Sequence, residues 1–238
     1  MRLKMAKVSA LGFALVVLLA TWQQARAEEP GITLYDRMAP IDQYLMTDRN
    51  AEIAMARSAA PASISNDAEV LVLGRHGYET AVKGSNGFVC IVERAWTSAY
   101  DDPAFFNPTV REPICYNPPA AKSHLQLTLQ RTEWAMAGMS KTQIFDAMRA
   151  AFERKELPPP ETGAMCYMMS KQTDFGPVYG HGGPHLMFYF PRMDGVTWGA
   201  ELPGSPVIVH QDTPEPVTVF VIPMSKWADG TAAPADGQ

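Results

Sequence analysis

Residues 78–96 read YETAVKGSNGFVCIVERAW, two runs rich in β-branched and aromatic residues on either side of Gly84-Ser85-Asn86-Gly87. Glycine and asparagine supply the positive φ that a tight reversal needs, so the stretch predicts a β-hairpin. In its second arm, alternation sets Cys90, Val92, Arg94 and Trp96 on one face and Val89, Ile91, Glu93 and Ala95 on the other. Neither face is uniformly polar, which predicts an interior strand. Glu93 and Arg94 point to opposite faces and cannot satisfy each other, yet a charge in an apolar strand must be paired or reach an edge. Each therefore needs a partner elsewhere, and a structural ion pair is favoured over an active-site role.

Upstream of this stretch, "AEVLVLG" (68–74) reads as a strand. "GRHGYE" then places His76 between glycines with Glu79 close by, an acid–base pair or an exposed turn. "PASISND" is a linker. Residues 28–60 form a helical arm, interrupted at Pro40 and stopped by Pro61. In "DRNAEIAMARSAA" the apolar face is thin, so the arm is expected to lie on the domain without forming its centre.

The first residues carry Arg2, Lys4 and Lys7, an apolar run from Val8 to Ala20, and the small-x-small triplet Ala25-Arg26-Ala27. That is the pattern of a secretory signal peptide over 1–27, cleaved after Ala27. The apolar run is too short for a spanning helix, which needs roughly 20 residues. No cysteine follows it to take a lipid, and no later segment is apolar enough to span, so no membrane association is expected after cleavage. The mature chain is expected in the periplasm or secreted. Cleavage takes Lys+Arg from 20 to 16 against 25 Asp+Glu, a net charge of −9. An acidic surface repels phosphate backbones and anionic lipid, so nucleic acid is excluded as a partner.

Downstream, residues 97–119 hold Pro103, Pro108, Pro113, Pro118 and Pro119 and read as one long loop. "AAKSHLQLTLQRTEWAMAG" (120–138) reads as a helix. Ser140-Lys141-Thr142-Gln143 is a capping box opening a second helix, in which Ile144, Met148 and Ala151 make an apolar stripe. Four β-like runs follow, "GAMCYMMS", "PHLMFYF", "PVIVH" and "PVTVFVIPM". The expected fold is α+β: an antiparallel sheet of about five to seven strands, two central helices on one face, and an N-terminal helical arm. A single domain would span 61–228, with a frayed tail over 229–238.

Three cysteines in an exported chain predict one disulfide and one buried thiol, and Cys90–Cys115 is the favoured pair. Fourteen methionines include Met165, Met168 and Met169 around Cys166, a set that suggests Cu(I). Alternation, however, sends Cys166 and Met168 to one face and Met165, Tyr167 and Met169 to the other, so the sulfurs read as core filler.

The candidate site is "YGHGGPHLMFYFP" (179–191). Gly182-Gly183-Pro184 excludes a helix, so His181 and His185 gain no fixed chelating geometry from their spacing. A metal would need a third ligand, for which His210, Asp174 and Cys166 are candidates by residue type. A Cys–His pair of Cys90 or Cys166 with His185, steadied by Asp174 or Asn107, is the nucleophilic alternative. If the proline-rich loop folds beside this corner, Phe105 and Phe106 with Tyr179 would make an aromatic cleft with His181 and His185 at its mouth. G-x-S-x-G, H-E-x-x-H, G-x-x-x-x-G-K-[ST] and G-x-G-x-x-G are all missing from the sequence. The expected function is an exported binding or structural module without chemistry of its own. The alternative is a hydrolase or metal-binding protein using the His181/His185 corner. No cofactor is assigned, and the expected partner is a small molecule or protein.

Overall fold

The computed structural model describes residues 35–177, 180–211 and 215–234. The signal peptide with its cleavage site, the first residues of the 28–60 arm, Tyr179 and the end of the tail lie outside them. In chain order the elements are α1 (Arg49–Arg57), α2 (Ala62–Ser65), β1 (Glu69–Gly74), β2 (Gly77–Val82), β3 (Val89–Glu93) and β4 (Glu112–Tyr116), then α3 (Pro118–Lys122), α4 (His124–Met136), α5 (Lys141–Glu153), β5 (Met165–Met168), β6 (His185–Pro191), β7 (Ile208–His210) and β8 (Val217–Pro223). The fold is α+β. Among the described residues there are eight strands, not five to seven, in the order β2-β1-β3-β4-β5-β6-β8-β7. The sheet is mixed and not purely antiparallel, because β1 and β3 run parallel.

That parallel pair corrects the hairpin expected at 78–96. β2 folds back on β1 instead, through the two-residue turn Arg75-His76 between the paired Gly74 and Gly77. The turn at 84–87 then carries the chain across the start of β1. A Cβ on Gly84 would lie 2.1 Å from the Glu69 nitrogen, so only glycine allows this crossing. Ser85 N–H bonds to the Asp67 carbonyl (2.8 Å), and the Asn86 side chain reaches the Ile64 carbonyl (2.8 Å). β3 is set down between β1 and β4, the interior position its two apolar faces demand.

The long loop is also shorter than its composition suggests. Pro113 sits in β4 opposite Val92, and Asn117 caps α3 with two prolines in its first turn. β5 pairs with β4 only at Cys115 and Tyr116, so among the described residues no strand pairs with that edge of β4 at Pro113, and a residue lacking an N–H is tolerated there. The expected helix over 120–138 is broken at Ser123, which is fully buried and whose hydroxyl bonds to the Pro119 carbonyl. The capping box at Ser140 and Gln143 is present in both directions, and Ile144, Met148 and Ala151 are the buried stripe of α5.

The two faces of the sheet bury different cores. On one, α1 and α2 cover Val70, Val72, Cys90, Val92 and Cys115 with a layer of alanines, Ala56, Ala59, Ala60 and Ala68. The small side chains explain why this helix looks thinly apolar in sequence and yet lies close on the strands. On the other, α3 and α4 cover Ile91, Ile114, Tyr116, Cys166, Met168 and Tyr189, and α5 lies against α4. Cys90 and Cys115 are cross-strand partners joined in a disulfide, and Cys166 is the buried free thiol. No helix of the described residues is long and apolar enough to cross a membrane.

A candidate ligand cavity with facing carboxylates

Alternation along β3 and β4 carries Ile91 and Ile114 into the α4-side core and, one step further, brings Glu93 opposite Glu112. Cross-strand partners share a face, so both carboxyl groups are delivered to the same side of the sheet. Above them, α4 presents His124, Leu127, Thr128 and Arg131, positions i, i+3, i+4 and i+7 of one helical stripe. The strands β6, β8 and β7 continue the floor with Met187, Tyr189, Val217, Val219, Val221 and Ile208. These elements enclose a cavity of about 980 Å³.

Each polar group has a distinct environment. Glu93 accepts three hydroxyl hydrogen bonds: from Tyr116, from Thr128 (2.8 Å) and from Thr97 (3.2 Å). Burial pushes its carboxyl up, and those hydroxyl donors oppose the shift. Among the described residues Glu112 accepts only from Ser98 (3.2 Å), and burial with Glu93 alongside pushes it up to about 8. Both shifts have the same cause, two carboxyl groups brought together out of water, and each opposes the ionisation of the other. Arg131 donates to the Thr97 and Ser98 carbonyls (2.8 and 2.9 Å), pairs with the buried Glu215 (2.5 Å) and lies over the Tyr100 ring at 4.2 Å. His124 stacks on Tyr189 with ring centres 3.8 Å apart, and burial, with Arg131 nearby, holds it down to about 3. It is a neutral imidazole.

The predicted histidine corner opens on the same cavity. The ring Nδ1 of His181 lies 2.9 Å from the Thr173 carbonyl, and that of His185 lies 2.9 Å from the Gly183 carbonyl. Burial lowers the basicity of His185. His210, on β7, is exposed and lines the cavity as well. Among the described residues no group of three or more His, Cys, Asp or Glu is placed to hold a metal ion. Asp174 is tied into a backbone bridge with Arg111, and its carboxylate accepts from the Gly176 N–H (2.8 Å).

The Cys–His alternative lacks its nucleophile. Cys90 is in the disulfide, and burial pushes the Cys166 thiol well above its ordinary range, with Sγ 3.0 Å from the Tyr189 hydroxyl. Phe105 and Phe106 do not join the histidines. They are buried with Tyr44, Trp96 and Ile144 in a separate cluster, and neither lines the cavity. Arg94 and Glu93 do find separate partners: Arg94 pairs with Glu52 of α1 (2.8 Å) on the opposite face.

Sequence reading missed Glu112, His124, Thr128, Arg131 and Glu215. The stripe His124, Thr128, Arg131 was the available signal, because three polar residues at helical spacing occupy what should be an apolar contact face. Comparison with protein-family models, with curated proteins and with solved structures gives no match for this chain.

Proposed function

We propose that the protein is an exported small-molecule binding protein that takes a ligand with an apolar body into the cavity between the sheet and α4. The observation that carries this reading is the cavity's asymmetry. Its β6–β8 floor is largely aliphatic and aromatic, whereas the β3–β4 end gathers Glu93, Glu112, Thr97, Ser98, Thr128 and Arg131. Mostly apolar walls with a few convergent polar groups are the usual make-up of a ligand site. Export is the reading of residues 1–27, and a disulfide joining two fully buried cysteines is compatible with an oxidising compartment.

Titration with a neutral, environment-sensitive apolar dye such as Nile red tests it. Saturable one-to-one binding is expected, together with its loss in Val219→Trp, which fills the cavity, while the melting temperature holds. Equal binding by wild type and the plugged variant would sink the reading.

The facing carboxylates support a second reading, acid–base catalysis. A carboxyl group pushed up to about 8 beside one better supplied with hydroxyl donors is the arrangement of a general acid next to a general base. In this reading Glu112 donates and Glu93 accepts, with Tyr116 steadying Glu93. Turnover of a hydrolysable substrate lost in both Glu93→Gln and Glu112→Gln would favour it over pure binding.

A further inference from the structure

Glu93 and Glu112 are each 7% exposed and face each other directly across β3 and β4. Like charges in that position repel, and buried charges are ordinarily paired. Elsewhere the molecule obeys the rule: Arg94 is matched by Glu52 and Arg131 by Glu215. Among the described residues neither Glu93 nor Glu112 is in a salt bridge with any cation. Glu93 is compensated by three hydroxyls, but Glu112 has Ser98 alone, and its second oxygen has no donor among the described residues. A nine-tenths buried carboxyl group thus presents an unused acceptor to an open cavity. Asp101 and Asp102 line the same end and add to its negative field.

We infer that the Glu93–Glu112 end of the cavity receives the protonated amine of a ligand whose apolar body lies along the β6–β8 floor. The inference rests on the cavity being a ligand site. A primary ammonium carries three donors, enough to meet the open oxygen of Glu112 and a lone pair of Glu93 together. A divalent metal ion is a poorer fit, since no three metal-ligating side chains are placed to hold one among the described residues. A quaternary ammonium has no N–H for the carboxylates. A carboxylate-headed ligand would add a negative charge to an end already lined by Glu93, Glu112, Asp101 and Asp102.

Isothermal titration of the mature protein with n-octylammonium, 1-octanol and octanoate at neutral pH tests the inference, because the three probes share a body and differ in the head. Octylammonium is expected to bind at least tenfold tighter than octanol, and octanoate weakest. Glu112→Gln should remove the preference for octylammonium over octanol, with Glu93→Gln as a second variant and the melting temperature as the control for folding. Octanol or octanoate binding as tightly as the amine, or an amine preference that survives both substitutions, overturns the inference and leaves the cavity reading standing. Failure of all three probes to bind overturns the cavity reading itself, and the inference with it.

Discussion

Glu52→Leu should be the most damaging single substitution on the α1 side of the sheet, and the structure sets its size. Glu52 is 2% exposed and Arg94 is fully buried. The Glu52 carboxylate accepts from Arg94 Nη2 (2.8 Å) and from the Leu73 N–H (3.1 Å). Arg94 also donates Nε to the Tyr44 carbonyl (3.0 Å) and Nη1 to the Val92 carbonyl. A guanidinium cannot shed its proton, so removing Glu52 leaves a full charge in the core, a loss of about 3–5 kcal/mol. The orphaned Leu73 N–H adds about 1–3 kcal/mol. The sum, about 4–8 kcal/mol, is comparable to the whole stability of an ordinary domain, about 5–15 kcal/mol. Glu52→Gln keeps an acceptor oxygen for both donors and loses only the charge. It should cost about 3 kcal/mol, a fall in melting temperature of roughly 6–12 °C. Removing both charges, in Glu52→Leu/Arg94→Met, should recover most of the loss and leave about the 1–3 kcal/mol of the unpaired N–H. Urea unfolding of the four proteins measures all of these. A Glu52→Gln loss below about 1 kcal/mol, or a double variant as unstable as Glu52→Leu, would refute the idea that an uncompensated guanidinium sets the scale.

Three further outcomes are expected. Replacing the disulfide by Cys90→Ala/Cys115→Ala, a crosslink over a sequence separation of 25, should destabilise the protein by about 3–4 kcal/mol, read from the urea midpoint. Melting temperature against pH should show two limbs of opposite cause. The Glu112 carboxyl, raised to about 8, contributes stability that is fully present below its unfolded value and lost as pH rises through about 8; His124, lowered to about 3, contributes stability present above its unfolded value and lost as pH falls toward 3. Glu112→Gln should flatten the alkaline limb alone and His124→Asn the acid limb alone, and unchanged slopes would contradict both environments. Ser140→Ala removes the side-chain acceptor for the Gln143 N–H (3.3 Å) and should lower stability by about 1 kcal/mol in thermal melts.

What could be read from the sequence was local. Alternation placed Cys90 and Val92 against Ile91 and Glu93 correctly, the capping box fixed the start of α5, and all four late strands form. What escaped was pairing between distant segments. Nothing in 78–96 says that Gly84 crosses over the backbone of Ala68 and Glu69, and that contact is what exchanges an expected β2–β3 hairpin for a parallel β1–β3 neighbour. Proline misled in the same way, since its exclusion from strands depends on which edge lacks a neighbour, a property of the sheet and not of the residue. The site was half legible. The histidine corner does open on the cavity, but the opposite end is made by a register, Glu93 against Glu112, that no single segment contains.

The same register explains why α4 looks weakly amphipathic. A helix covering a filled core would bring apolar residues to every contact, as α5 does with Ile144, Met148 and Ala151. α4 instead divides its inward surface. Leu125 and Leu127 are buried in apolar clusters, while Thr128 bonds Glu93, Thr132 accepts from the Trp96 indole (3.0 Å) and Arg131 reaches Glu215 of the segment leading into β8. Those polar contacts hold the helix over the two halves of the sheet without filling the space between them. A helix fastened at its polar positions can roof an open cavity, whereas one held by side-chain volume alone would close it. Thr128→Val, nearly isosteric, separates the two effects. It removes one donor from Glu93 and leaves the roof in place, so dye uptake should persist while the carboxyl pair holds its proton to higher pH. Loss of dye uptake with an unchanged melting temperature would instead show that Thr128 touches the bound molecule directly.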